Sequence, residues 1–207
     1  MSARPARKKT QKVLFSVAAL VAAAGLAGVG TYASFTGSTN ASQTVATGTM
    51  SITLGAPGPA NRLTVNASAF APSDTMQRAV NLSVGGTVDL ASMNLTTTDT
   101  VATPTVLSTD AINGLKMTVD RCSVAWTEAG TAPAYTYTCS GTPSAVIARS
   151  AVIGAARPMN NMLVAAGSTN FLRVTLDLPS TADDTFQAKT ATISEVFAGV
   201  QRAGIAQ

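Results

Sequence analysis

The sequence predicts an all-β sandwich of about nine or ten strands, preceded by an N-terminal signal helix. Short segments of alternating apolar and polar residues recur after residue 44, and turns rich in Gly, Pro, Ser and Asp separate them at roughly even spacing. No tandem repeat and no long helical periodicity follow the first 33 residues. Thr, Ser, Ala and Val dominate the same region, a composition that suits β-structure in an exported protein.

The N-terminus has a different character. Arg4, Arg7, Lys8, Lys9 and Lys12 come before any acidic residue, and Val13 to Ala33 then carries no charge. A basic start, an apolar helix and a loosened exit at Gly25, Gly28 and Gly30 make an export signal, with the small residues Thr31 and Ala33 framing a cut. Cleavage is expected between Ala33 and Ser34, with cleavage after Ser34 as the alternative. A retained anchor is the competing expectation, because this run of 21 residues is long enough to span a bilayer. The expected organisation is a signal at 1–33 and one secreted domain at 34–207, in contact with the membrane only through an uncleaved signal. The formal charge of +4 belongs to the signal: the remaining 174 residues hold nine basic and ten acidic side chains, so no nucleic-acid partner is implied.

Within the mature region, Thr44 to Leu54 predicts a strand with Met50, Ile52 and Leu54 on one face, stopped by Gly55-Ala56-Pro57-Gly58-Pro59. Arg62 to Val65 predicts a short strand, and Phe70-Ala71-Pro72-Ser73-Asp74 a turn. Val80, Leu82 and Val84 then alternate with Ala79, Asn81 and Ser83, and Gly85-Gly86 predicts a hairpin turn returning along Thr87 to Thr98. In that return the apolar parity slips between Val88 and Leu90 and Met93 and Leu95, which predicts a β-bulge. Leu115, Met117 and Val119 alternate with Lys116, Thr118 and Asp120, and strands are expected at Tyr135 to Cys139, Val146-Ile147 and Val152-Ile153. Asn170 to Leu178 is the clearest, with Leu172, Val174, Leu176 and Leu178 inward and Pro179 ending it. Ala188 to Arg202 closes the series, with Ala191, Ile193 and Phe197 on one face. This many short strands at even spacing fits a jelly-roll-like β-sandwich.

Cys122 and Cys139 are the only cysteines, and an even pair behind an export signal predicts a disulfide between them. Trp126 is expected to pack in the core against that bridge. Asp183-Asp184 lacks the ligand density of a calcium loop, and Leu178-Pro179-Ser180-Thr181-Ala182 imitates a sorting motif but is expected to be a turn. Asn66, Asn81 and Asn94 begin glycosylation-type triplets of the kind that arise by chance in a Ser/Thr-rich chain.

Glycines before Thr31-Tyr32-Ala33, then Phe35, a polar spacer and Ala46-Thr47-Gly48-Thr49-Met50-Ser51-Ile52, resemble the start of TasA and camelysin-type exported proteins, actinobacterial relatives among them. Phe70 to Asp74 resembles the family's Leu-x-Pro-Gly-Asp turn, with Ser73 where glycine is usual. The resemblance implies an alternate signal peptide cut by a SipW-like signal peptidase, and a jelly-roll subunit shown outside the cell that builds biofilm-matrix or surface fibres. Its partner would be itself, head to tail. Residues 34–44 are the donor-strand candidate, uncharged throughout, and Phe35, Ala41 and Val45 are the apolar residues in and beside them.

No catalytic residue, metal site or cofactor is expected. A zinc peptidase needs imidazole ligands and usually a glutamate base, as in H-E-x-x-H; this chain has no histidine, and Glu128 and Glu195 stand in no such frame. A serine hydrolase lacks its histidine too, and G-x-S-x-G is absent. Two alternatives to the fibre subunit stand beside it: a monomeric surface binding module, and a camelysin-like metallopeptidase.

Overall fold

A computed structural model describes residues 48–63 and 70–204. The expectations at Thr31, Ala33, Ser34, Phe35, Ala41 and Val45 lie outside the described residues, as do Thr44 to Thr47, Thr64-Val65 and Asn66 to Ser68. Ten strands are described: β1 Met50–Leu54, β2 Thr75–Gly86, β3 Leu90–Asp99, β4 Lys116–Cys122, β5 Thr127–Ala129, β6 Thr136–Thr138, β7 Pro143–Ala151, β8 Gly154–Pro158, β9 Thr169–Asp177 and β10 Ile193–Gln201. One short helix, α1 Val106–Thr109, and a 3-10 turn at Asp184–Phe186 interrupt the loops.

The strands form a five-stranded sheet in the order β1-β2-β9-β4-β7 and a three-stranded sheet in the order β10-β3-β8, with β5 and β6 as a separate ribbon. Every pairing is antiparallel. From β2 to β3 to β4, and from β7 to β8 to β9 to β10, the chain crosses between layers at each step, so the protein is an all-β sandwich with jelly-roll-like winding. One core fills the space between the layers: Val80, Leu82 and Val84 from β2, Leu172 and Val174 from β9, Met117 and Val119 from β4, and Leu90, Met93 and Leu95 from β3. These are the inward positions that period-two alternation predicts.

The parity slip in β3 is a bulge. Val200 pairs with Ser92 and Gln201 with Leu90, so Ala91 is the extra residue and both Leu90 and Met93 turn inward. The turn at Ala71 to Asp74 also forms: Asp74 N–H donates to Ala71 O, and Asp74 Oδ2 accepts from Ala71 N–H. Ser73 there takes φ 76°, the left-handed conformation for which glycine is the ordinary choice.

Four expectations need correction. Gly85-Gly86 is no hairpin, because β2 and β3 belong to different sheets; it is a corner, where Gly86 at φ 98° lets Thr49 O lie 2.1 Å from where a Cβ would stand. Arg62 and Leu63 are not in a strand, although Arg62 N–H donates to Ala79 O at the rim of β2. Val152-Ile153 is the connection into β8 rather than a strand, with Val152 buried beneath it. Lys116, expected outside, is buried, and its Nζ donates to Ala111 O.

Candidate functional site

The two flanks of the sandwich are finished differently. On the outer face of the five-stranded sheet lies the ribbon β5–β6, carried by the loop between Cys122 and Cys139. Those two cysteines are bonded, with Cα atoms 5.8 Å apart, as the sequence predicted. Cys122 is the last residue of β4, opposite Phe171 of β9, so the closed loop leaves the sheet at the end of β4.

Polar and aromatic side chains fasten the ribbon down. Arg62 grips Glu128 of β5 through two hydrogen bonds of 3.0 Å, and Tyr137 of β6 donates its hydroxyl to the same carboxylate at 2.7 Å. The Arg62 bond, seconded by Tyr137, holds the Glu128 carboxyl below its ordinary range. Burial, then the Glu128 carboxylate, pushes the Tyr137 phenol up to about 12. Tyr137 N–H donates to Gln77 Oε1 on β2, and the Arg62 guanidinium stands 4.7 Å over the Tyr135 ring. Arg173 of β9 bonds Asp120 of β4 at 2.7 Å and lies 4.5 Å over Trp126. Trp126 is therefore not in the core; it is half-buried on the outer face, its Nε1 donating to Phe171 O. The position of Trp126 and the Arg62–Glu128–Tyr137 cluster were missed because the tertiary placement of residues far apart in the chain, not local sequence, brings them together.

The opposite flank has no such cover among the described residues. It is bordered by β1, five residues long, and β10, nine residues long, and each has one hydrogen-bonded neighbour. The two meet where Ile52 Cδ1 lies 2.7 Å from the place a Cβ on Gly199 would take, so this glycine is what lets the layers close there. Met50 and Leu54 on β1 and Val196 and Val200 on β10 are exposed. Leu54, Gly55, Pro57, Asn61, Leu63 and Val80 line a shallow apolar cleft of about 160 Å³ just beyond the end of β1.

The hydrogen-bond phase of β10 follows from its ends. Thr100 N–H donates to Thr192 O and Arg202 N–H to Asp89 O, so the even-numbered residues bond to β3. The N–H and C=O groups of Ile193, Glu195, Phe197 and Gly199 consequently point to the open side, where none has a backbone partner among the described residues. Their side chains point inward, and Ile193 and Phe197 pack against the core. Glu195 shares that parity. Its half-buried carboxyl is pushed up to about 7 by burial, an effect its own backbone N–H opposes in part. The signal for this group was in the sequence, two residues from both Ile193 and Phe197.

Among the described residues no three of His, Cys, Asp and Glu cluster to form a metal frame around either glutamate. Asp183 is engaged in capping, its Oδ1 accepting from Thr185 N–H and Thr185 Oγ1. Among the described residues no helix is long and apolar enough to cross a membrane. Comparison with known families gives one finding: the model described as camelysin metallo-endopeptidase matches residues 8–121. No curated protein matches the chain.

Proposed function

The chain belongs to the camelysin metallo-endopeptidase family, and from that membership we propose that it serves outside the cell as a structural subunit that joins its own copies, and not as a peptidase. The edge of β10, where Ile193, Glu195, Phe197 and Gly199 have no backbone partner among the described residues, carries this reading. Cleavage after Ala33 by a SipW-like peptidase frees Ser34 to Thr44, an uncharged segment, to add a strand to the next subunit, head to tail, in matrix or surface fibres. The Cys122–Cys139 bridge fits an oxidising, exported setting.

Peptidase chemistry finds little support. The chain has no histidine, Glu128 is held by Arg62 and Tyr137, and Glu195 lies in the other layer.

Electron microscopy of the protein as cells release it tests assembly: filaments are expected, and particles that stay single at high concentration would overturn it. Casein digestion with and without chelator tests the second half, with no chelator-sensitive activity expected.

A further inference from the structure

We propose that Asn113 is a modification site, an asparagine that cyclises onto Gly114 and deamidates as the protein ages, and that the turn holding it sets the rate. The chemistry is separate from anything the subunit joins.

Asn113-Gly114 is the only Asn-Gly pair in the chain; the other eight asparagines precede Ala, Arg, Leu, Asn, Met or Phe. The following residue matters because its backbone nitrogen is the nucleophile. A side chain there crowds the attack, whereas glycine leaves the backbone free to bring that nitrogen and the side-chain carbonyl together. The atoms balance with water alone. Gly114 N gives its proton to hydroxide and bonds Asn113 Cγ, the bond from Cγ to the side-chain nitrogen breaks, ammonia leaves, and a cyclic imide remains. Water then opens either carbonyl of the imide, giving aspartate or isoaspartate, the latter with its backbone running through the side-chain carboxyl.

The fold places this pair where neither residue is free to vary. Between α1 and β4 the chain turns at Asp110 to Leu115, and Asp110 Oδ1 accepts from Ile112 N–H at 2.7 Å and from Asn113 N–H at 2.9 Å. Gly114 N–H donates to Asp110 O at 3.0 Å, and Leu115 N–H to Leu107 O at 2.8 Å. Gly114 is buried, and a Cβ on it would lie 2.5 Å from Asp110 O and 2.9 Å from the carbonyl oxygens of both Leu107 and Val106, so a larger residue does not fit. Asn113 is half-buried, and its Oδ1 takes a 2.8 Å hydrogen bond from the Thr181 hydroxyl in the loop after β9. Its side chain thereby ties the β3–β4 connection to the β9–β10 connection.

Those contacts also hold the reaction back. The proton on Gly114 N is engaged by Asp110 O, and the Asn113 amide is engaged by Thr181. Cyclisation needs both bonds to open, so the rate in the folded protein is the rate of the unfolded chain scaled by the fraction of time the turn is open. The turn lies at the surface: the Thr181 bond is exposed, and Ile112 beside the pair is 77% exposed.

Conversion is one-way, and its two products act differently. Aspartate keeps an acceptor for Thr181 but adds a carboxylate to a turn that already holds Asp110. Isoaspartate adds a carbon to the backbone just before Gly114, whose surroundings leave no room to shift, so the bonds to Asp110 O and Leu107 O cannot both survive. β4 begins at Lys116 and lies between β9 and β7, which puts the lesion at the root of an interior strand.

Released protein is incubated in mildly alkaline buffer, folded and in urea, and position 113 is followed by peptide mapping together with a methyl-transfer assay for isoaspartate. In urea, wild type should convert first at Asn113; folded, it should convert there more slowly. Thr181→Val should raise the folded rate about two- to tenfold, the equivalent of one lost hydrogen bond, and Thr181→Ser should bring it back. The melting temperature of aged wild type should fall as isoaspartate accumulates, while Asn113→Gln aged beside it keeps its own. Faster conversion at another asparagine in urea, or no conversion at Asn113 in either folded protein, overturns the site. Equal rates in folded wild type and Thr181→Val, or a folded rate equal to that in urea, overturn control by the turn. A melting temperature that holds while isoaspartate accumulates overturns the effect on β4.

Discussion

The outer face of the five-stranded sheet and the β1–β10 flank are made of the same kind of strand, yet among the described residues one is covered and the other is not. Over the first, a disulfide-bounded loop supplies Glu128, Tyr135 and Tyr137 to the arginines Arg62 and Arg173, and the Glu128 carboxylate and Tyr137 hydroxyl are both hydrogen-bonded there. On the second, four backbone donors and acceptors and two exposed valines face outward without a described partner. If the ribbon over the five-stranded sheet, fastened by the Cys122–Cys139 bridge and the Arg62–Glu128 pair, is a clasp that serves stability and the β10 edge serves the proposed self-association, substitutions in each should leave the other's property intact.

The strongest way to break the comparison is to open the clasp. Replacing both Cys122 and Cys139 with alanine removes a bridge across 17 positions, and a loss of about 2–4 kcal/mol is expected, read as a fall in melting temperature. Assembly at a temperature where the variant stays folded should be unchanged. Glu128→Gln should cost less, about 1–2 kcal/mol, because a charge-assisted pair and the Tyr137 bond are weakened while the bridge remains. The Glu128 carboxyl sits below its ordinary value, so its stabilisation is complete above about pH 4.5 and fades as pH falls through the folded value. Chemical denaturation of wild type and variant should therefore converge in acid.

The legibility of these two regions differed for a physical reason. β2, β4 and β9 were plain in the sequence because each has one face in a single core, and alternation at Val80-Leu82-Val84 or Leu172-Val174-Leu176 reports that directly. The β3 bulge was legible as well, since a bulge is a local change of parity. Which sheet a strand joins is not local. Gly85-Gly86 specifies a reversal, but the same glycines serve a corner between layers, and the hairpin expectation failed there. β8 escaped because Gly154-Ala155-Ala156 gives no alternation, and the clasp escaped because Arg62 and Glu128 are 66 positions apart. The disulfide was legible by count alone.

Glu195→Gln sharpens the comparison from the other flank. Folded Glu195 titrates at about 7 against an ordinary 4.5, so between those values the native state holds a proton that the unfolded chain has released. Stability then falls as pH rises through that window and levels off above it. The glutamine variant should lack this decline and exceed wild type at pH 8 by on the order of 1 kcal/mol. A decline of equal size in the variant would assign it to other groups.

The smallest effect on the monomer should come from Val196→Lys. Val196 is 55% exposed on the outward face of β10, and its backbone bonds to β3 do not depend on its side chain. Its loss should change monomer stability by less than about 0.5 kcal/mol. A lysine there adds a charge to an edge whose one other charge points inward, the device by which natural edge strands resist pairing. Filament yield should drop in this variant while its melting curve overlays that of wild type. If instead the melting temperature falls by several degrees, the β10 face is covered in the monomer, and the contrast between a closed and an open flank is wrong.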